Sequence, residues 1–194
     1  MLLRIATAAD APGVRAVYAP IVELTSISFE YAVPTVEAMA ARITERYPAH
    51  PWLVACHQEA VAGYAYAGRF AARAAYAWSV ETSVYVAEGE RRRGVGRALY
   101  TALLRILSSQ GFGQAFATIA LPNPGSVALH ERMGFTLSGV YRGAGRKLGA
   151  WHDVGRWQRS LGPTAAEPRA PLLLTELGAG VLDAALAAGA ALLD

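Results

Sequence analysis

The run Arg91-Arg92-Arg93-Gly94-Val95-Gly96-Arg97 has the residue types and spacing to hold an anion. It follows a β-branched, aromatic stretch, Val84-Tyr85-Val86, and opens a strongly periodic helix. Several backbone N–H groups therefore gather at a helix N-terminus, where unpaired donors and the helix dipole favour negative charge. Gly94 and Gly96 let the backbone approach an anion with no Cβ in the way. The layout reads as a pyrophosphate cradle, although three arginines taken alone would read as a solvated charge run. Two better-known anion loops are excluded by the residues. The dinucleotide fingerprint needs a third glycine where Leu99 stands, and the nucleotide-hydrolase loop needs Gly-Lys-Ser/Thr, whereas the only lysine is Lys147.

Other residues have chemistry to offer. Glu81 shares a strand face with Ser83 and Tyr85 under period-2 alternation, just upstream of the cradle. His130 lies on a short amphipathic helix and carries the side chain that titrates nearest neutrality. Asn123 precedes that helix and suits an N-cap. Cys56, the single cysteine, falls in the apolar run Trp52-Leu53-Val54-Ala55-Cys56 and reads as a buried small hydrophobe. It excludes an internal disulfide framework, and the four histidines show no metal-ligand spacing, so no metal is expected.

The elements that must position these groups are legible in outline. Leu2 to Ala6 reads as a strand, and Asp10 caps a helix with Val14, Val17, Tyr18, Ile21 and Val22 on one face. A hydroxyl-rich loop, Thr25 to Tyr31, precedes a helix from Pro34-Thr35 to about Tyr47. Trp52 to His57 and Val61 to Gly68 flank a turn at Gln58-Glu59-Ala60, and Ala77 to Val86 is a third long strand. The Gly94 helix carries Val95, Leu99, Leu103, Ile106 and Leu107 and stops before Gly111. A strand over Ala115 to Leu121, a helix over Asn123 to Met133, and strands over Phe135 to Tyr141 and Trp151 to Arg159 complete the order βααβββαβαββ, a mixed α/β class.

The chain of 194 residues suits one domain over 1–162, followed by a Pro-containing linker and an Ala/Leu-rich extension over 163–194. That extension includes Glu176 and Asp183, each costing about 2.5–3.5 kcal/mol at the centre of a bilayer, so it reads as a small appended helix rather than a span. The N-terminus, Met-Leu-Leu-Arg-Ile, lacks a signal-peptide pattern, and the expected location is the cytoplasm. A net charge of +3, with no basic residues gathered on a second element, argues against a nucleic-acid partner.

Two separated motifs carry a resemblance. Arg91-x-x-Gly94-x-Gly96 between a strand and a helix resembles the coenzyme A loop of the GNAT superfamily of N-acetyltransferases. Asn123-Pro124-Gly125-Ser126-Val127-Ala128-Leu129-His130, continuing to Gly134-Phe135, is similar to that superfamily's Asn-x-x-(Ser/Ala)-x-x-Leu-(Tyr/His) helix. Further stretches are similar to the phosphinothricin and methionine sulfoximine N-acetyltransferase branch. Among them are Ala62-Gly63-Tyr64-Ala65-Tyr66-Ala67-Gly68, Val80-Glu81-Thr82-Ser83-Val84-Tyr85-Val86 and Gly149-Ala150-Trp151-His152-Asp153-Val154-Gly155-Arg156-Trp157-Gln158. The resemblance covers roughly residues 2–160.

It implies the GNAT fold, a central, mostly antiparallel twisted sheet of about seven strands flanked by four helices. It implies acetyl-CoA as cosubstrate, with the pantetheine arm on Val84-Tyr85-Val86, the pyrophosphate on the loop Arg91, Arg92, Arg93, Gly94, Val95, Gly96 and Arg97, and Asn123 on the cofactor arm. A backbone N–H near Val86 would polarise the thioester oxygen. Glu81 takes the branch's general-base position, and His130 stands where an acid or a base could act. Arg73, Tyr76, Tyr85 and Phe29 are implied to bind a small glutamate-like amino acid by direct transfer, in a homodimer. One position departs from the pattern: the herbicide-resistance enzymes carry a lysine where this chain has Ala71, so tight phosphinothricin binding is not implied. A protein N-terminus or another small amine as acceptor, and a degenerate sensor domain, are the other readings.

Overall fold

The computed structural model describes residues 1–163 and 166–193; positions 164–165 of the expected linker, and 194, lie outside the described residues. Seven strands form one sheet: β1 (Leu2–Ile5), β2 (Trp52–His57), β3 (Ala60–Arg69), β4 (Ser79–Val86), β5 (Gln114–Leu121), β6 (Thr136–Lys147) and β7 (Ala150–Ser160). Their spatial order is β1-β2-β3-β4-β5-β7-β6. Every neighbour is antiparallel except β4 and β5, which run parallel for only three rungs: Ser79↔Gln114, Val80↔Ala115 and Glu81↔Phe116. Beyond Glu81 the two strands separate while β4 stays paired to β3 as far as Gly63↔Val86.

Helices cover both faces. On one side lie α1 (Ala11–Leu24) and α2 (Val36–Arg46), which bury Val14, Val17, Tyr18, Ile21, Val22, Met39 and Ile43 against Trp52, Val54 and Tyr64. On the other lies α3 (Val95–Gln110), with Leu99, Leu103, Ile106 and Leu107 fully buried, each worth about 1.5–3 kcal/mol of apolar transfer. α4 (Pro124–Arg132) sits beside it. A fifth helix, α5 (Ala179–Ala190), packs on α3 from outside.

Four details differ from the sequence expectation, each for a local reason. Asp10 precedes α1 but does not cap it with its side chain. Its carboxylate instead accepts from Arg4 (2.7 and 2.6 Å) and the Thr7 amide (2.8 Å), and these bonds hold its pKa below the usual carboxylate range. The β2–β3 turn has two residues rather than three, because Gln58 takes a positive φ of 55° and Ala60 pairs with His57. The strand expected from Ala77 begins at Ser79, since Ala74–Tyr76 forms a 3-10 turn. β6 runs on to Lys147, past the expected Tyr141, its glycines Gly143 and Gly145 lying where the register with β7 shifts.

The extension is tied to the body by specific bonds. Gln110 Nε2 donates to Leu172 O (2.7 Å) while the Leu172 amide donates to Gln110 O (2.7 Å), and the Leu174 amide donates to Pro48 O (2.9 Å). A Cβ on Gly189 would stand 2.5 Å from Ala98 O, so only glycine lets α5 approach α3 this closely. At the far end, Leu192 O lies where a Cβ on Gly94 would fall, 2.6 Å away.

Candidate active site

The parting of β4 from β5 leaves one edge of β4 without a strand partner. The Ala87 amide donates to Ala62 O on β3 (2.9 Å). By alternation, the N–H groups of Val84 and Val86 then point the other way, into the gap. A peptide-like arm lying in that gap would find donors and acceptors in strand register. The gap leads to the start of α3, where Arg92 (φ 65°) and Gly94 (φ 83°) turn the chain and the first intrahelical bond is Ala98 N to Gly94 O. The amides of Val95, Gly96 and Arg97 thus precede the hydrogen-bonded ladder, as a diphosphate cradle requires.

The two glycines do different jobs. Gly94 is required by its positive φ and by Leu192 O. Gly96, expected to clear a path for the anion, faces inward: a Cβ there would meet Leu129 Cδ2 at 3.0 Å and Val86 Cγ2 at 3.6 Å. Its small size brings α3 onto α4 and β4. Arg91, Arg92, Arg93 and Arg97 are exposed around the loop, with Arg93 paired to Glu90 (3.0 Å). Asn123 caps α4, its Oδ1 accepting from the Ser126 amide (3.2 Å), which leaves the side-chain N–H₂ to a ligand. A cavity of about 320 Å³ between α1 and the end of β4 is lined by Val17, Ile21, Val61, Val86, Ala87 and Arg91.

Odd residues of β4 face the α1/α2 side, and here Glu81 is held by neighbours on other strands. Thr118 Oγ1 on β5 donates to Glu81 Oε1 (2.5 Å), and Arg156 Nη1 on β7 donates to Thr118 Oγ1 (2.8 Å) and reaches Glu81 Oε1 at 3.5 Å. Glu81 keeps 38% of its side-chain surface, and its Oε2 has no hydrogen-bond partner among the described residues. Phe70 stacks on Phe116 (centroids 4.2 Å), lies under the Arg156 guanidinium (5.4 Å) and meets the edge of Tyr76 (5.4 Å). Tyr76 is therefore linked to Glu81 through Phe70 and Arg156. Arg73 stands just before, exposed, its carbonyl accepting from the Tyr76 amide (3.0 Å) and its side chain making no hydrogen bond or ion pair among the described residues.

Tyr85 packs edge-on to Tyr18 (5.1 Å) and against Tyr64 (5.2 Å), and burial raises its pKa well above the usual phenol, so it remains a neutral donor. Phe29 comes from the loop between α1 and α2. Its ring fills the space left by Gly145 and lies 6.2 Å from His152, on the face of β7 that also carries Arg156. Lys147 fixes this loop, donating to Ser28 O (2.5 Å) and Glu30 O (2.7 Å), and Tyr31 adds a bond to Arg146 O (2.5 Å).

His130 does not join this group. It lies on the α3/α4 side, 3% exposed. Its Nδ1 donates to Ser126 O (2.7 Å), which leaves the lone pair of Nε2 to accept from Tyr100 Oη (2.8 Å). Both ring nitrogens are engaged, and the surroundings are those of a neutral, packed histidine. Thr82 Oγ1 donates to Phe116 O (3.1 Å) beside Tyr100 and ties the parting strands together.

Burial holds the His130 pKa below 6.5. Below about pH 6.5 the unfolded chain takes up a proton that the folded state resists, so this site's full stability holds above that pH and is lost as pH falls. Urea unfolding at pH 7.5 and 5.5 should show a smaller drop for His130→Gln than for the parent chain; equal drops would show the ring is not held neutral.

A sheet parted between two parallel strands, with a helix start at the gap whose amides suit an anion and a carboxylate on the opposite face, fits a transferase that uses a coenzyme A thioester. Residues 3–155 match the family model described as an acetyltransferase (GNAT) domain. The chain belongs to the GNAT acetyltransferases, and its cosubstrate is acetyl-CoA. It is 42% identical over 175 residues to a phosphinothricin N-acetyltransferase of Streptomyces viridochromogenes, covering 90% of this chain and 95% of that one. It is 35% identical over 168 residues to the L-methionine sulfoximine/L-methionine sulfone acetyltransferase of Pseudomonas aeruginosa, covering 86% and 98%. The crystal structure of a GNAT phosphinothricin acetyltransferase from Sinorhizobium meliloti, in complex with acetyl-CoA, superposes with a TM-score of 0.82 at 37% identity, covering 86% of this chain and 92% of that one. Among the described residues no helix is long and apolar enough to cross a membrane.

Thr118, Arg156, Phe70 and Phe116 gather around Glu81 in the candidate site, and sequence reasoning missed them. Period-2 alternation along β5 marks Phe116 and Thr118 as one face. Which face it is depends on strand pairing, which no local pattern reveals.

Proposed function

We propose that this enzyme acetylates the α-amine of a small glutamate-like amino acid of the phosphinothricin or methionine sulfoximine type. The observation that carries the reading is Glu81: half-exposed, anchored through one oxygen, and without a partner at the other among the described residues, at the rung where β4 and β5 part. The names of the relatives support the acceptor class.

Acetyl-CoA supplies an activated acetyl thioester. The amides of the loop Arg91 to Arg97 would hold its pyrophosphate, the β4 edge at Val84, Tyr85 and Val86 its pantetheine arm, and the Asn123 side chain would add a donor to that arm. The Val86 N–H would polarise the thioester oxygen, where negative charge develops. The acceptor arrives as an ammonium ion, and Glu81 Oε2 takes one proton, directly or through one water, so that the lone pair can attack the thioester carbon; as the C–N bond forms the C–S bond breaks, and coenzyme A leaves as a thiolate that takes up the amine's second proton. Phe29 forms a wall, the Tyr85 hydroxyl a donor, and Tyr76 and Arg73 receive the far, polar end of the substrate. His130 transfers no proton in this reading; with Tyr100 it braces α4 and the parted strands. Cys56 is buried in β2, away from any acyl-transfer role. The resemblance supports a homodimer as the working form.

The test is acetyl-CoA-dependent thiol release by the purified protein, with phosphinothricin and methionine sulfoximine offered separately. Turnover with either supports the acceptor class, and their ratio reports what Ala71 costs. Release with neither, while acetyl-CoA still binds, would overturn the acceptor assignment and leave the cosubstrate intact.

A further inference from the structure

We propose that Arg156 is the residue that binds the acceptor's α-carboxylate. The inference rests on the amino-acid reading above and adds the group that recognises the amino-acid end itself. In an α-amino acid the amine and the carboxylate sit on one carbon. Once the amine stands at Glu81 Oε2, the carboxylate must lie close to the same glutamate. Two carboxylates in one half-buried site repel strongly unless a cation stands beside them.

Arg156 is that cation. Its Nη1 is 3.5 Å from Glu81 Oε1, and the side chain is steadied by Thr118 (2.8 Å) below and by the Phe70 ring (5.4 Å) at its face. Nε and Nη2 make no hydrogen bond among the described residues, which leaves two N–H-bearing nitrogens of a planar fork for a carboxylate. The arrangement alternates in sign: Glu81, ammonium, carboxylate, Arg156. Thr118 is the hinge of the pair, giving its hydrogen to Glu81 and taking one from Arg156. Arg73, exposed on its turn and with no side-chain partner among the described residues, is left to the distal head group. Arg156 is the only guanidinium that touches Glu81 among the described residues.

The experiment compares methionine sulfoximine with its α-carboxamide, by kcat/KM, in the parent enzyme, Arg156→Gln and Arg156→Lys. The parent should prefer the acid by on the order of 30-fold, the size of a charge-assisted hydrogen bond. Arg156→Gln removes the charge while keeping a polar N–H donor, and should lose most of that preference through a higher KM for the acid alone. Arg156→Lys should retain part of it. The ratio between enzymes cancels the lower basicity of the carboxamide amine. Unchanged preference in Arg156→Gln, or an equal fall in kcat for both substrates, would overturn the proposal while leaving the acceptor class standing. Where the parent enzyme acetylates phosphinothricin alone, the same acid–amide comparison is made on that compound; a parent enzyme that acetylates neither amino acid overturns both.

Discussion

Glu81→Gln should lower kcat by about 10²–10⁴-fold, the usual contribution of a positioned general base. Glutamine keeps the shape of the side chain and an oxygen for Thr118, so the site should remain assembled. What it loses is the acceptor of the ammonium proton at the free oxygen. Glu81 lies on the opposite face of β4 from Val84 and Val86, so acetyl-CoA affinity by calorimetry should be little changed. Raising the pH supplies more free amine from solution and should recover part of the lost rate. Equal loss of acetyl-CoA affinity and turnover would remove Glu81 from the role of base.

Gly94→Ala is expected to act on the other half of the reaction. At φ 83° a Cβ costs about 1–2 kcal/mol. The same Cβ would press on Leu192 O at 2.6 Å, and a backbone atom cannot swing aside as a side-chain tip can. The loop should relax, raising the KM for acetyl-CoA roughly tenfold for each 1.4 kcal/mol of lost preorganisation. The melting temperature should fall by about 2–4 °C for each kcal/mol. Gly96→Ala meets only the end of Leu129 at 3.0 Å and no positive φ, so its effects should be smaller in both measurements. A larger effect at Gly96 would place the critical approach there instead.

How much of the fold and site is legible in the sequence depends on the range over which each residue interacts. α3 and the Gly94 turn are local: apolar spacing and a glycine at each end define them before any partner is known. Glu81, Ser83 and Tyr85 share a face by virtue of the pleat alone. Arg156 beside Glu81 is another matter, because it requires β5 to pair with β7 rather than β6, a contact between residues 75 positions apart. His130 shows the same limit in reverse. On its own helix it looks like a free titrating group, and only Tyr100, thirty positions earlier on α3, occupies the second nitrogen. Asp10 looks like a cap for α1, whereas the stronger pull on its carboxylate comes from Arg4 on β1. The Phe29 loop depends on Lys147, 117 and 119 positions away, which no pattern within the loop announces.

The close seat of Leu192 on Gly94 makes the end of the chain a bystander with a stake in cosubstrate binding. Free-energy coupling is reciprocal: if the docked extension steadies the loop that receives the diphosphate, the diphosphate must steady the extension by the same amount. Amide hydrogen exchange over Ala179–Ala190 should therefore slow when acetyl-CoA is added, though α5 carries none of the residues placed at the site. Equal exchange with and without acetyl-CoA would mean that the two are neighbours without being partners. A helix with no chemistry of its own then becomes a thermodynamic gauge of whether the enzyme is charged with its donor.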